Sequence, residues 1–426
     1  MSTVLNLEEI YFNYDQLFEA QAKQLRKMVQ RIYKCSPFYR HKLDEAGIKP
    51  EQIQTIQDLN KVPFTTKAEL RMGYPLGLQA VPEEQVVRIH SSSGTTGKPI
   101  IVPYTVEDVN TWAEMMARCF SYAGVSNRDR VQVTPGYGLW TAGIGFQAGV
   151  EKLGAMAIPT GPGNTEKQLE MMEDLQTTVF ASTSSYGLLL AEEINKHGIK
   201  NKLALRKGII GSERWGDKMR KYIEDILGIE TYDIYGLTEI YGPGIAIDCK
   251  NHDGLHYWSD HLLFEIIDPA TGEQLPPGQQ GELVITTLTK EGMPLLRYRT
   301  HDITRLRLKY CSCGSPFPMI DRVLGRTDDM IKIKGVNIYP GQIDHVLKIT
   351  EGAASEYQII LTRVNGRDRI LIKVEKQEGC EPLKIQEECS KNIKSRIGIK
   401  CDVEVVDYGS LPRSEKKSKR VFDLRE

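Results

Sequence analysis

The sequence predicts an α/β protein: a large N-terminal domain containing a β-rich subdomain, followed by a small C-terminal α+β domain. Three observations carry that reading. Short apolar runs alternate with amphipathic helices from about residue 85 to 235. After residue 260 the alternation stops and strand-like runs follow one another. From about residue 329 a hairpin, a helix and a strand make a separate compact unit. A chain of 426 residues is long enough for two or three domains, each burying its own core without disulfides.

The elements follow in order. Leu17, Phe18, Leu25, Met28, Val29, Ile32 and Tyr33 recur at helical spacing, and Ser36-Pro37 closes that helix. Thr105 and Asp108 form a capping box ahead of Val109, Trp112, Met116 and Phe120, with Gly124 as the stop. Thr165 caps a second helix through Leu169, Met172 and Leu175, which leads to a strand at Val179-Phe180. A helix over 188–196 ends at Gly198, and Gly208-Ile209-Ile210 is a strand. A further helix over 219–227 precedes a strand over 231–235. In the β-rich stretch the strands are 283–288 and 303–308, with a turn at Pro276-Pro277-Gly278. Near the end, runs 357–364 and 369–374 flank Asn365-Gly366-Arg367-Asp368, a hairpin signal. Ile385, Cys389, Ile393 and Ile397 then stack on one helix face, Gly398 ends the helix, and 403–406 is a strand.

Composition excludes several classes. Lys and Arg total 55 against 56 Asp and Glu, so no basic excess draws the chain to nucleic acid or an anionic membrane. No apolar run approaches the ~18 residues of a membrane span. Met1 to Ile10 lacks a positive segment followed by an apolar one, so export is not expected and a cytoplasmic location is. In a reducing compartment the eight cysteines are not a disulfide framework. Cys35, Cys119, Cys380, Cys389 and Cys401 are scattered and read as small buried or half-exposed thiols.

The most informative stretch is Ser91-Ser92-Ser93-Gly94-Thr95-Thr96-Gly97-Lys98-Pro99. Its glycines let successive N–H groups turn inward as an anion nest, and the hydroxyls and Lys98 add donors for phosphate oxygens. Pro99 follows Lys98, so it is not the Gly-x4-Gly-Lys-Ser/Thr loop that opens a helix. Four further segments follow in order: Tyr235-Gly236-Leu237-Thr238-Glu239, Tyr298-Arg299-Thr300-His301-Asp302, Gly325-Arg326-Thr327-Asp328 running to Lys334-Gly335, and Leu411-Pro412-Arg413 running to Lys416-Lys417. Together the five resemble the core motifs of the adenylate-forming (acyl-CoA synthetase) superfamily. Gly136-Tyr137-Gly138-Leu139-Trp140 and the short length resemble its phenylacetate–CoA ligases. The likeness covers the chain from about residue 10 to its end.

The resemblance implies an acyl-adenylate made from a carboxylate and ATP, then transfer of the acyl group to coenzyme A. A carboxylate attacking an anionic phosphate needs cations and donors that offset charge in the transition state. Residues 91–98 would hold the departing phosphates, Thr238 would donate to the α-phosphate, and Glu239 would ligate Mg²⁺. Asp302 would accept the ribose hydroxyls. Tyr235 and the Gly211-Ser212-Glu213 turn would sandwich the adenine, with Asp233, Gly236 and Arg326 completing the nucleotide set. Lys417 would reach the reacting centre during adenylation. Lys416 stands where the family usually has glycine and is the alternative; register from Leu411-Pro412-Arg413 favours Lys417. Asp328 would be the hinge between residues 1–327 and a mobile domain, 328–426, whose rotation presents Lys334-Gly335 to a coenzyme A tunnel. Tyr137, Gly138, Trp140, Thr141, Gly143 and Tyr186 would enclose a flat aryl acid, and Trp140 would limit its length. A homodimer is implied by resemblance alone. A non-CoA acyl acceptor, or an ATP-binding regulator without turnover, are the competing readings.

Cys249, His256, Cys311 and Cys313, within a subdomain of about 245–320, offer three sulfurs and an imidazole, the donor set of a closed structural zinc site. Some phenylacetate–CoA ligase-like sequences carry a similar cluster. His252 and His261 compete for the fourth position, and three unlinked thiols are the alternative.

Overall fold

The computed structural model describes residues 14–92, 98–213, 215–328, 331–333, 336–338, 340–364, 367–412 and 420–425. The chain begins with helices α1 (Tyr14–Cys35), α2 (Pro37–Glu45) and α3 (Lys67–Met72). Ser36-Pro37 does more than close α1. The Ser36 hydroxyl accepts the Tyr39 N–H and Pro37 takes the first helical position, so the pair also opens α2, a helix that the periodicity alone does not reveal.

Strands β1 (Arg88–Ser91) and β2 (Ile101–Tyr104) pair antiparallel, with Ser91 opposite Ile101, and so frame the Ser/Gly loop. Then β3 (Arg130–Val133), β4 (Met156–Ile158), β5 (Val179–Thr183), β6 (Lys207–Gly211) and β7 (Glu230–Leu237) alternate with helices. These are α4 (Val106–Tyr122), α5 (Thr141–Leu153), α6 (Thr165–Asp174), α7 (Ser184–His197) and α8 (Asp217–Leu227). The capping box is present: Asp108 N–H donates to Thr105 Oγ1 and Thr105 N–H to Asp108 Oδ2, each at 3.1 Å. At α6 the expectation is corrected. Asn164, in the left-handed region at φ 50°, is the cap and accepts the Lys167 N–H, while Thr165 is the first helical residue. Asn tolerates that backbone better than β-branched Thr.

The β-rich stretch consists of β8 (Gly242–Asp248), β9 (Leu255–Tyr257), β10 (Leu262–Ile267), β11 (Gln280–Thr287), β12 (Tyr298–Arg307), β13 (Met319–Ile320) and β14 (Gly325–Arg326). These strands extend the parallel sheet. One twelve-stranded sheet runs β10-β11-β12-β13-β9-β8-β7-β6-β5-β3-β4, with β14 beside β12. Pairing is parallel from β4 to β7 and antiparallel beyond. Because β3 has β4 on one side and β5 on the other, the order reverses there, and α/β sheets bind ligands outside the carboxyl ends of their strands at such a point.

The C-terminal unit holds the pair β15 (Ile331–Ile333) and β16 (Val336–Ile338), then α9 (Pro340–Ile349), β17 (Ala353–Val364), β18 (Arg367–Lys376), α10 (Pro382–Ile397), β19 (Asp402–Val406) and β20 (Val421–Asp423). Its sheet runs β19-β18-β17-β20. Val364 pairs with Arg367, so Arg367 and Asp368 belong to the strand rather than to the turn, since cross-strand pairing continues through them. Ile385, Cys389 and Ile393 of α10 pack with Ile359, Ile372 and Leu347 in a core separate from that of the large domain. Among the described residues no helix is long and apolar enough to cross a membrane.

Candidate active site

The parallel strands deliver the motifs to one end of the sheet. β3 ends at Val133 just before Gly136–Trp140; β5 ends at Thr183, the cap of α7; β6 ends at Gly211 and runs into Ser212-Glu213; and β7 ends at Leu237 and runs into Thr238-Glu239. A Cβ on Gly236 would sit 1.9 Å from the Gly242 carbonyl oxygen, so only glycine lets β7 and β8 approach so closely here.

Asp302 is buried on β12. Its Oδ2 accepts the Tyr235 hydroxyl at 2.5 Å and its Oδ1 accepts Arg326 Nη1 at 2.8 Å. Burial raises the Asp302 carboxyl above its ordinary range while Arg326 pulls it down. Arg326 also makes a two-pronged pair with Asp328, at 2.8 and 2.9 Å, so one guanidinium spans the expected ribose clamp and the expected hinge. His301, at φ 66°, precedes Asp302; its N–H donates to Glu282 Oε1 and its Nδ1 lies 2.8 Å from Thr327 Oγ1. This strained residue re-aims the chain immediately before the carboxylate.

Glu239 is 5% exposed, and Lys67 Nζ lies 3.4 Å from its Oε1. Thr238 Oγ1 is 3.4 Å from Thr141 Oγ1. Behind this turn, fully buried Lys290 lies between the Tyr104 and Tyr241 rings, 4.0 and 4.1 Å from their centroids, and donates to the Ile240 carbonyl. Burial lowers its pKa to about 8, with Asp108 opposing. Sequence reasoning missed Lys67 and Lys290. For Lys67 a signal existed, because Thr66 and Glu69 form a capping box that fixes it at the start of α3. For Lys290 none did.

Other expected residues occupy varied places. Ser91 and Ser92 hold the base of the loop: Ser91 N–H donates to the Leu139 carbonyl and Ser92 Oγ accepts the Ile100 N–H, both at 2.9 Å. Lys98 lies over the Tyr74 ring at 5.1 Å. Ser93, Gly94, Thr95, Thr96, Gly97, Lys334, Gly335, Lys416 and Lys417 lie outside the described residues. Glu213 directs its carboxylate to the start of α7, accepting Ser184 Oγ, Ser185 N–H and Ser185 Oγ at 2.6–3.0 Å. Ser212 takes a positive φ of 68°. Asp233 accepts the Trp215 indole N–H at 3.0 Å, and burial pushes its carboxyl up to about 6.

Around the expected acid pocket, Gly143 lies flat against Tyr137: a Cβ there would meet the ring at 2.6 Å. The Tyr137 hydroxyl is buried with no hydrogen-bond partner among the described residues. Gly138 takes φ 83°, Thr141 is buried, Trp140 is 48% exposed, and Tyr186 is buried beside Thr165, 3.4 Å from its hydroxyl.

Two family models match: AMP-binding enzyme over residues 18–289 and AMP-binding enzyme C-terminal domain over residues 335–425. The chain belongs to the AMP-binding enzyme family. Within this family it is 46% identical to the phenylacetate-coenzyme A ligase of Pseudomonas putida, over 96% of this chain and 95% of that one. It is similar in structure to 2-hydroxyisobutyryl-CoA ligase in complex with 2-HIB-AMP in the postadenylation state. The TM-score there is 0.88 at 27% identity, over 97% of this chain and 90% of the other. The same ligase with 2-HIB-AMP and CoA in the thioesterification state matches with a TM-score of 0.71 at 28% identity, over 97% and 91%. The fold is that of AMP-binding, adenylate-forming enzymes, with a large N-terminal and a small C-terminal domain.

Away from this centre, Cys249, His256, Cys311 and Cys313 converge, with one ligand atom from each within 4.8 Å of all the others. Cys249 Sγ and Cys311 Sγ are 3.8 Å apart, and Cys313 Sγ is 3.4 Å from His256 Nε2. Zn–S bonds of about 2.3 Å at tetrahedral angles place sulfurs ~3.8 Å apart, so the donors fit such an ion. His256 Nδ1 lies 2.7 Å from the Phe317 carbonyl, which fixes the proton on Nδ1 and leaves Nε2 a lone pair. The rivals are engaged elsewhere: His252 Nδ1 with Asp248 at 2.8 Å, and His261 Nδ1 with Thr289 at 3.0 Å.

Proposed function

We propose that this chain ligates an aryl carboxylic acid of the phenylacetate kind to coenzyme A in two steps, through an acyl-adenylate, with release of pyrophosphate and then AMP. The observation that carries the reading is the convergence of Thr238, Glu239, Tyr235 and Asp302 at the carboxyl end of the sheet, beside the strands that frame the Ser/Gly loop. Residues 91–98 bind the pyrophosphate end of ATP, Thr238 donates to the α-phosphate, and Asp302 holds the ribose. Glu239 would hold Mg²⁺, which supplies positive charge against the phosphates. Lys417 offsets the charge that develops as the acid's oxygen attacks the α-phosphorus and pyrophosphate leaves. In the second step the CoA thiolate attacks the acyl carbon and AMP departs.

The acid lies against Tyr137 and Gly143, where aromatic and small groups leave room for a flat ring. Rotation about Asp328 exchanges Lys417 for Lys334-Gly335 between the steps. The protein works in the cytoplasm as a homodimer. The test is pyrophosphate release with a panel of aryl acids (phenylacetate, indoleacetate, benzoate), with and without CoA. Acid-dependent release followed by thioester formation is expected; release without thioester would point to another acceptor, and no acid-dependent release would overturn the reading.

The Cys₃His cluster binds one structural Zn²⁺. Elemental analysis should find one equivalent per chain, lost in Cys311→Ser together with several degrees of melting temperature. Metal-free protein with unchanged activity and melting would remove zinc from the account.

A further inference from the structure

Helix α8 of the large domain carries Lys218 in its first turn, half-buried where the small domain packs against it. Its ammonium donates to three carbonyls of the small domain: Leu347 at 3.0 Å, Thr350 at 2.8 Å and Ala353 at 3.0 Å. An ammonium has three N–H donors, and all three are used. Leu347 is in the last turn of α9, where carbonyls lack helical partners and the helix dipole is negative, so a cation is well placed there. Burial lowers the Lys218 pKa below its ordinary value, the cost of drawing the ammonium out of water. A second contact crosses the same seam: the Tyr408 hydroxyl donates to Glu192 Oε1 on α7 at 2.6 Å.

The carbonyls that Lys218 grips are connected to the segment holding Lys417. Ala353 is the first residue of β17, and β17 pairs in parallel with β20, Ile359 opposite Val421. Arg420 follows residues 413–419; its carbonyl accepts the Ile359 N–H at 2.7 Å and its guanidinium pairs with Glu356 at 3.0 Å. On the other side Leu411 N–H donates to Glu375 at 2.8 Å. The small-domain sheet therefore holds Leu411 and Arg420, the residues on either side of that segment, and Lys218 fixes the sheet to the large domain. The domain arrangement in which this happens matches the postadenylation state of 2-hydroxyisobutyryl-CoA ligase far better than its thioesterification state, 0.88 against 0.71.

We infer that Lys218 is a positioning residue for the first half-reaction, an ammonium clasp that holds the small domain in the adenylating orientation and is released when that domain turns. The inference rests on the two-step reading above. Rotation of the small domain carries all three acceptors away together, so the clasp favours one orientation only.

The half-reactions are measured separately on the full-length protein: phenylacetate-dependent exchange of labelled pyrophosphate into ATP, and conversion of supplied phenylacetyl-adenylate to thioester with CoA. Lys218→Met keeps the side-chain stem and removes the donors. It is expected to lower exchange roughly tenfold or more while thioester formation stays within about twofold of wild type. Lys218→Arg should restore part of the exchange, and Tyr408→Phe should move the ratio of the two rates the same way by a smaller factor. Lys221→Met, one turn along α8 in an exposed pair with Asp225, should leave both rates unchanged. Equal loss of both half-reactions in Lys218→Met, or no loss in either, would overturn the clasp while a two-step wild type stands. A wild type without acid-dependent exchange would instead overturn the underlying reading.

Discussion

Lys417→Ala is expected to abolish most ATP-dependent adenylation, lowering it by about two to three orders of magnitude, yet to convert supplied acyl-adenylate to thioester at nearly the wild-type rate. The magnitude is that of removing one charge-stabilising donor from a preorganised site. In the proposed mechanism the asymmetry comes from the order of events: Lys417 would act while charge builds on the α-phosphate, and the thiolate attack would use the other face of the small domain. Lys416→Ala is the companion variant, and a small effect there fixes the register counted from Leu411-Pro412-Arg413. Equal loss in both half-reactions would refute the division of labour.

Arg297→Ala should destabilise the protein by about 3–5 kcal/mol, the cost of stranding a buried charge. Arg297 and Glu265 are 4% and 3% exposed. Arg297 Nε donates to Glu265 Oε2 at 3.3 Å, and Nη2 lies 3.1 Å from Oε1 without hydrogen-bond alignment. Nη1 donates to the Val62 carbonyl at 2.9 Å, and the guanidinium stacks 4.1 Å from the Phe64 ring. One side chain thus ties the N-terminal helical layer to β10, just ahead of the strand that carries Asp302. Burial already raises the Glu265 carboxyl pKa, so the double variant Arg297→Met, Glu265→Leu should recover much of the loss. Urea unfolding of the three variants measures it, and a double variant no more stable than the single one would contradict the stranded-charge account.

Much of this was legible in the sequence because local rules govern it. The apolar runs at 179–180, 208–210 and 231–235 are parallel strands buried on both faces, and glycines 198 and 398 stop helices by adopting positive φ. The motif order singled out residues that the fold gathers from far apart, such as Tyr235 and Asp302. What escaped depends on distant partners. Lys290 looks like a surface charge until the fold surrounds it with Tyr104 and Tyr241. Nothing local favours His256 over His252 and His261; the choice is made by the Phe317 carbonyl behind one ring and by Asp248 and Thr289 behind the others. The continuity of the β-rich strands with the parallel sheet follows from β7 pairing with β8, a junction that periodicity does not mark.

Arg326 divides its guanidinium between Asp302 and Asp328, so the two carboxylates share one donor set. Whatever reorganises one carboxylate draws on donors committed to the other, and such linkage works equally in both directions. With the ribose on Asp302 and the hinge at Asp328, as proposed, departure of the nucleoside would change the stiffness of the pivot, and a turn of the pivot would change the hold on the nucleoside. Emptying the pocket and resetting the enzyme for its next turnover would then be thermodynamically linked through one side chain.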